Sequence, residues 1–263
     1  MRTLKGRRGL AVLAVLTVAM AVVAAGVASA GDNKPVKVRV GDFELTADGG
    51  FQPETLSKTT LTPIAFTASG KLRTLSGAHL TPIKEVLVEA DKNSAVQVKG
   101  FPTCTAGKLQ SQDTKHAEAI CPDAIIGQGT THVEIQFEEQ RKVQVSSKLL
   151  VFNGGEKGGV VTFFIHAYIT LPVPAAIVTT VKIKKIHHGR YGMLATASIP
   201  KIAGEGAVTS FSLKIDKKYT YKGKKLSILS AKCPDGKLQA HATAVFRDNT
   251  RLSAEVIRSC HGK

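Results

Sequence analysis

From Thr131 to Glu138 the chain alternates strictly between apolar and polar residues. Val133, Ile135 and Phe137 fall on one side of an extended strand, with His132, Glu134, Gln136 and Glu138 on the other. Successive strand side chains leave on opposite faces, so a period of two describes a strand buried on one side only. The same period recurs where Val36, Val38 and Val40 alternate with Lys37 and Arg39. It recurs again where Leu238, Ala240, Ala242, Ala244 and Phe246 alternate with Lys237, Gln239, His241 and Arg247. Turn signals separate such runs at Ala47-Asp48-Gly49-Gly50, Asp91-Lys92-Asn93, Asn153-Gly154-Gly155, Gly158-Gly159, Pro234-Asp235-Gly236 and Asp248-Asn249. The pattern predicts an all-β fold of about a dozen strands at roughly 10 to 15 residue spacing, a sandwich or stacked antiparallel sheets.

Helical signals are confined to residues 104–127. A short segment around Ala106 to Gln112 has Thr105 as a candidate cap, and a turn at Pro122 to Ile126 closes at Gly127. Leu61-Thr62-Pro63-Ile64 is echoed by Leu80-Thr81-Pro82-Ile83, which marks two strand starts where Pro is tolerated. Val160 to Val181 carries no formal charge and is long enough to cross a bilayer. Pro172 and Pro174 would break such a helix, and the β-branched composition instead predicts two covered strands joined at Pro-Val-Pro.

The first 30 residues carry the pattern of a secretory signal. Arg2, Lys5, Arg7 and Arg8 form the basic region, Leu10 to Ala25 the apolar core, and Ala28-Ser29-Ala30 the cleavage site. The competing readings are an uncleaved anchor and, from Arg7-Arg8, the twin-Arg route. Residues 31–263 then form the mature chain, read as one domain, with two lobes meeting near residues 127–130 as the alternative. Its expected location is the cell envelope or the outside medium.

Four cysteines in an exported chain allow three pairings. Cys233 and Cys260 bracket the hairpin that turns at Asp248-Asn249. A two-residue turn there makes facing residue numbers sum to 497 and sets Cys260 opposite Lys237, within reach of Cys233. Sequential pairing, Cys104–Cys121 and Cys233–Cys260, is therefore expected. There is no Cys-x-x-Cys, and no metal or other cofactor is expected.

Charge is unevenly spread. Residues 31–180 hold 15 Lys/Arg and 15 Asp/Glu, whereas residues 181–263 hold 17 against 5. An excess of this kind draws polyanions, while its plainer account is a solvated lysine surface. Lys182, Lys184, Lys185 and Arg190 form one candidate anion-binding group. Lys217, Lys218, Lys222, Lys224 and Lys225 form another, around Tyr219 and Tyr221. The expected partner is an anionic cell-wall polymer or membrane surface. Sequence-specific nucleic-acid binding is not expected, since Lys outnumbers the bidentate Arg.

No catalytic residue is assigned. The eight histidines are scattered, and His187 and His188 are neighbours that a strand would point apart. His132 shares a face with Glu134, but that face continues as Gln136 and Glu138, the mark of a solvated strand. His166 lies within an apolar run and reads as a hydrogen-bonded core residue. Gly154-Gly155-Glu156-Lys157-Gly158-Gly159 lacks the following helix of a phosphate loop and reads as a hairpin turn. With no Trp and four Tyr, a stacking platform for sugars is disfavoured.

The stretches Gly100-Phe101-Pro102-Thr103-Cys104, Cys121 to Gly129, Phe152-Asn153-Gly154-Gly155 and Ala231 to Leu238, with Cys260, resemble a group of uncharacterised exported proteins of high-GC Gram-positive bacteria. The resemblance spans most of residues 80–260. It implies export and a cysteine framework, and no activity. The expected function is a non-catalytic binding or structural module of the envelope. The alternative is an extracytoplasmic hydrolase whose site is assembled from distant strands.

Overall fold

The structure, a computed structural model, describes residues 27–29, 33–137, 141–170, 173–202 and 205–263. The first strands are β1 (Val27–Ser29), β2 (Val36–Val40), β3 (Phe43–Gln52), β4 (Thr55–Leu56), β5 (Thr62–Pro63), β6 (Ala65–Thr74), β7 (Ile83–Asp91) and β8 (Ser94–Val96). Helices α1 (Ala106–Leu109) and α2 (Thr114–Ile120) and a 3-10 turn at Pro122–Ala124 follow. Then come β9 (Ile125–Ile135), β10 (Val143–Lys157), β11 (Val160–Ile169), β12 (Ala175–His188), β13 (Tyr191–Ser198) and β14 (Ala207–Ile215). The chain ends with β15 (Lys218–Tyr221), β16 (Lys224–Ser227), β17 (Leu229–Ala231), β18 (Lys237–Phe246), β19 (Arg251–Ser259) and β20 (His261–Gly262).

The principal sheet runs β1-β19-β18-β7-β13-β12-β11-β10-β9-β14-β6-β3-β2, and apart from the parallel β1–β19 pair it is antiparallel. The all-β expectation of about a dozen antiparallel strands holds. Its opposed walls are halves of one sheet rolled almost into a barrel, because β19 also runs beside β2 and β3. At this seam Asn33 N–H donates to Ile257 O at 3.3 Å, and its side-chain oxygen accepts from Ser259 N–H at 3.1 Å. Closure removes most of the unpaired edge that a flat sheet would expose.

Alternation decides which face turns inward. Val36 and Val38 of β2, Leu72 of β6, Phe246 of β18 and Leu252 and Ala254 of β19 share one buried cluster. Phe43 stacks on Phe246 with ring centres 5.0 Å apart. Residues from opposite margins of the sheet meet only on its inner side, so the apolar face lines the interior and Lys37, Arg39 and their counterparts face outward.

The strands run up and down, and their connections fall at two ends. One end holds short loops, including 41–42 and 247–249. The other holds the excursions 53–64, 92–124 and 216–236. There Val98, Phe101 and Ile228 pack on Ile126, Val151, Phe163 and Ile215, and the three-stranded sheet β5-β17-β8 lies across the opening. This is the capped end. Both expected disulfides, Cys104–Cys121 and Cys233–Cys260, are formed and lie in or beside these excursions.

Several local expectations need correction. Ala47-Asp48-Gly49-Gly50 is not a turn but the middle of β3, paired residue by residue with β6. The turn lies at Gly41-Asp42, where Gly41 has φ +56°. Asn153-Gly154-Gly155 is a bulge inside β10. Buried Asn153 donates to Pro102 O at 2.9 Å and accepts from Gly155 N–H, so the bulge fastens the start of the helical excursion. The chain reverses instead at Gly158-Gly159, both at positive φ, as a two-residue hairpin requires.

The last hairpin closes with a three-residue loop, Arg247-Asp248-Asn249, with Asn249 at φ +69°. Facing numbers therefore sum to 496, as in Lys237↔Ser259, and Cys260 N–H donates to Gly236 O at 2.8 Å. Helix α2 was not expected. Its cap is Asp113, whose carboxylate accepts from His116 N–H at 2.8 Å.

Val160–Ile169 and Ala175–His188 are separate strands, as the prolines implied, with Pro172 outside the described residues. Among the described residues no helix is long and apolar enough to cross a membrane. The apolar core of the expected signal, Leu10 to Ala25, lies outside the described residues, and Val27–Ser29 form β1.

Candidate functional site

The lysine-rich segment 217–225 is a hairpin standing on the capped end. Its strands β15 and β16 pair Tyr219 with Leu226 and Tyr221 with Lys224. The turn is Lys222-Gly223, at φ +49° and +73°. Tyr219 and Tyr221 share a face and anchor the hairpin. The Tyr219 hydroxyl donates to Lys99 O at 3.1 Å, and its ring meets Phe101 edge-on at 4.9 Å. Burial pushes the Tyr219 phenol above its ordinary pKa, so it stays a neutral donor. Tyr221 lies on Gly100 so closely that a Cβ there would overlap its ring.

Lys217, Lys218, Lys222, Lys224 and Lys225 are exposed, as are Lys182, Lys184 and Lys185, and none of them makes an ion pair among the described residues. The fold does not merge the two groups into one face. Val181 and Ile183 pack with the interior cluster that also receives Tyr219, so Lys182 and Lys184, one residue away, point off the outer wall. Both groups lie toward the same end, on different surfaces.

Arg190 belongs to neither group. It pairs with buried Asp91 at 2.8 Å and with Asp235, and donates to Lys237 O at 2.7 Å. Hydrogen bonding to Asp235, then to Asp91, raises its pKa further. It acts as a strut joining the β12–β13 turn to the start of β18. It is therefore not available to an external anion.

The ends of the barrel differ in charge. The connecting segments of the capped end (33–35, 53–64, 92–103, 158–159, 189–190, 216–236 and 260–263) carry twelve Lys/Arg against three Asp/Glu, the helical segment 104–124 being folded onto the outer wall, where Leu109 and Ala117 pack with Leu150 and Phe152. Among the described residues, those of the opposite end (41–42, 75–82, 136–142, 170–174, 199–206 and 247–250) carry four against three. Lys58, Lys92 and Lys99, from the first half of the chain, thus join the hairpin lysines. Sequence reasoning missed them because it grouped charges along the chain.

Two histidine–carboxylate clusters lie on the outer wall. Glu89 accepts from His188 at 2.7 Å and His241 at 3.1 Å, with Tyr191 beside both rings. Burial pushes the Glu89 carboxyl up, but the two imidazole hydrogen bonds outweigh it and leave its pKa lowered. His241 faces Glu89 directly across β18 and β7, a pairing invisible without the register. Glu134 accepts from His79 at 2.6 Å and Gln144 at 2.8 Å. His132, on the same face, turns to Ser210 at 3.1 Å instead.

Among the described residues no group of three or more His, Cys, Asp or Glu is arranged to hold a metal ion. His166 is a core residue, 0% exposed, with Nε2 donating to Gln112 O at 2.9 Å. Comparison with known proteins gives no matching family model, no similar curated protein and no similar solved structure.

Proposed function

We propose that this is an exported, non-catalytic binding protein that seats its capped end on an anionic membrane surface. The observation that carries the reading is the contrast of twelve basic against three acidic residues at one end and four against three at the other. Such a molecule is electrostatically polarised and meets a negative surface in one orientation. Each lysine near an anionic bilayer contributes on the order of 1 kcal/mol, so five exposed hairpin lysines suffice for reversible attachment. Export is supported by the secretory pattern of residues 1–30 and by two disulfides, which persist in oxidising compartments. Among the described residues neither histidine–carboxylate cluster on the outer wall contacts a serine or cysteine, and His132, which does meet the Ser210 hydroxyl, pairs with no carboxylate, which favours binding over hydrolysis.

The test is cosedimentation with phosphatidylglycerol-containing vesicles and with neutral phosphatidylcholine vesicles. The native protein is expected to pellet only with the former at low salt and to be released at 1 M salt, where the screening length falls to about 3 Å. Replacing Lys217, Lys218, Lys222, Lys224 and Lys225 with Gln abolishes retention, whereas Lys201→Gln with Arg247→Gln leaves it unchanged. Equal retention of all variants overturns the proposal. So does retention by isolated cell wall but not by vesicles, which assigns the basic end to a polymer.

A further inference from the structure

The geometry points to a second site, inside the barrel: we infer that the lumen binds the alkyl chain of a single-chain amphiphile such as a long-chain fatty acid. Barrels of about eight strands are just wide enough for their own side chains to fill the interior. Here a dozen strands roll together, and the inward positions at mid-height are small. The register places Ala195, Val88 and Ala242 in one inward row and Ala197, Val86 and Ala244 in the next. The same rows end at Ala254 and Leu252 of the buried cluster, which fixes their direction.

Facing inward on the other wall are Ala47, Gly49, Ala68 and Gly70. These side chains keep partial exposure although they point inward, whereas buried clusters fill both ends of the barrel. Phe211, on the same inner face and lying over Gly70, is 39% exposed. The middle of the barrel is therefore less tightly filled along β13, β7, β18 and Phe211 than along β9 to β11, where inward Thr131, Ser147, Leu149 and Ala167 are buried.

The chemistry of those walls selects the occupant. The inward hydroxyls of Thr131 and Ser147 are already engaged, by Ser210 O and Tyr168 N–H respectively. An alkyl chain asks for no hydrogen bond and gains from leaving water. The incomplete seam supplies a mouth. β2 pairs with β3 only as far as Ala47, and among the described residues no strand pairs with Asp48 to Gln52 on that side. A cavity of about 640 Å³ lies there, lined by Phe51, Ala68 and Leu213 and by a larger set of polar residues that includes Asp48, Thr67, Ser69, Gln128, Lys214 and Arg258. Arg258 bridges the gap, pairing with Asp48 and donating to Gly49 O. A mouth of mainly polar and charged residues over an apolar lumen suits the junction between head group and chain.

The chain contains no Trp, so one introduced indole reports a single position. Met193 faces inward opposite Ala90, and its neighbour Leu194 faces outward opposite Glu89. Met193→Trp and Leu194→Trp proteins are titrated with dibromostearate in 1 M salt, where attachment through the basic end is screened. Bromine quenches only at short range. Saturable quenching is expected in Met193→Trp and none in Leu194→Trp, with stearate reversing it.

Adding Ala195→Phe and Ala242→Phe to the Met193→Trp protein fills the lumen. This should weaken binding about tenfold, the effect of displacing roughly two methylene groups. Absence of quenching in Met193→Trp, or equal quenching at both positions, overturns the inference. Because the readout is independent of anionic vesicles, its failure leaves the surface proposal standing, and the reverse also holds.

Discussion

Removing the Arg190 guanidinium tests whether the capped end is held by a buried charge. Asp91 is 2% exposed. Its carboxylate accepts from Arg190 at 2.8 Å, from Asn93 N–H at 2.9 Å and from Gln239 N–H at 3.2 Å. Arg190→Met keeps the aliphatic stem and leaves Asp91 as an uncompensated buried anion, a change that costs about 3 to 5 kcal/mol when one partner of a buried pair is deleted. The two backbone donors remain, so the lower figure, about 3 kcal/mol, is expected. The Asp235 arm is more open, and Asp235→Asn should cost less than about 1 kcal/mol.

Asp91→Asn together with Arg190→Met removes the stranded charge and should recover part of the loss. The assay is urea unfolding of the four proteins of this cycle at neutral pH. A loss below about 1 kcal/mol in Arg190→Met, or a double variant no more stable than the single, would show that Asp91 does not depend on the arginine.

Replacing both Cys233 and Cys260 by Ala should cost about 3.5 kcal/mol from the 27-residue loop, and replacing Cys104 and Cys121 about 3 kcal/mol from the 17-residue loop, read from unfolding midpoints. Burial lowers the His166 pKa from 6.5. The native state therefore favours neutral imidazole, and this stabilisation is complete above pH 6.5 and declines as pH falls through the lowered value. His166→Leu should be less stable at pH 8, because Gln112 O loses its donor, but flatter between pH 6.5 and 5. The Glu89 pKa is lowered from 4.5, so Glu89→Gln should remove part of the stability loss below pH 4.5; an unchanged acid limb would refute that.

Strands were legible where one face was apolar and the other polar, as in β9 and β18, because burial on one side writes its period into the chain. Turns were legible where glycine or asparagine had to adopt positive φ, as at Gly158-Gly159. They were misread where the same residues served another purpose. Gly49 sits in β3 where a Cβ would press on Thr67 O at 3.3 Å, and Gly155 relaxes a bulge. Helix α2 buries only Ala117, so it carries no apolar stripe, and its one signal is the Asp113 cap. The hairpin register slipped by one because Asp248-Asn249 fits a two-residue turn and the end of a three-residue loop equally well.

The site was less legible than the fold, for a reason that lies in antiparallel topology. Each strand crosses from one end of the barrel to the other, so residues adjacent in the chain are carried to opposite ends and distant ones meet. Along the chain the positive excess falls in residues 181–263. In space it falls at one end, where Lys58, Lys92 and Lys99 join Lys217 to Lys225, while Arg247 is carried to the far end. Alternation likewise states which side chains point inward, but not how far away the opposite wall stands. That distance depends on whether β19 turns back to meet β2, a contact between residues more than two hundred positions apart. Ala195 and Ala242 thus look in the sequence like ordinary core positions of a packed sandwich. Only the closure of a dozen strands around them makes small side chains mean space.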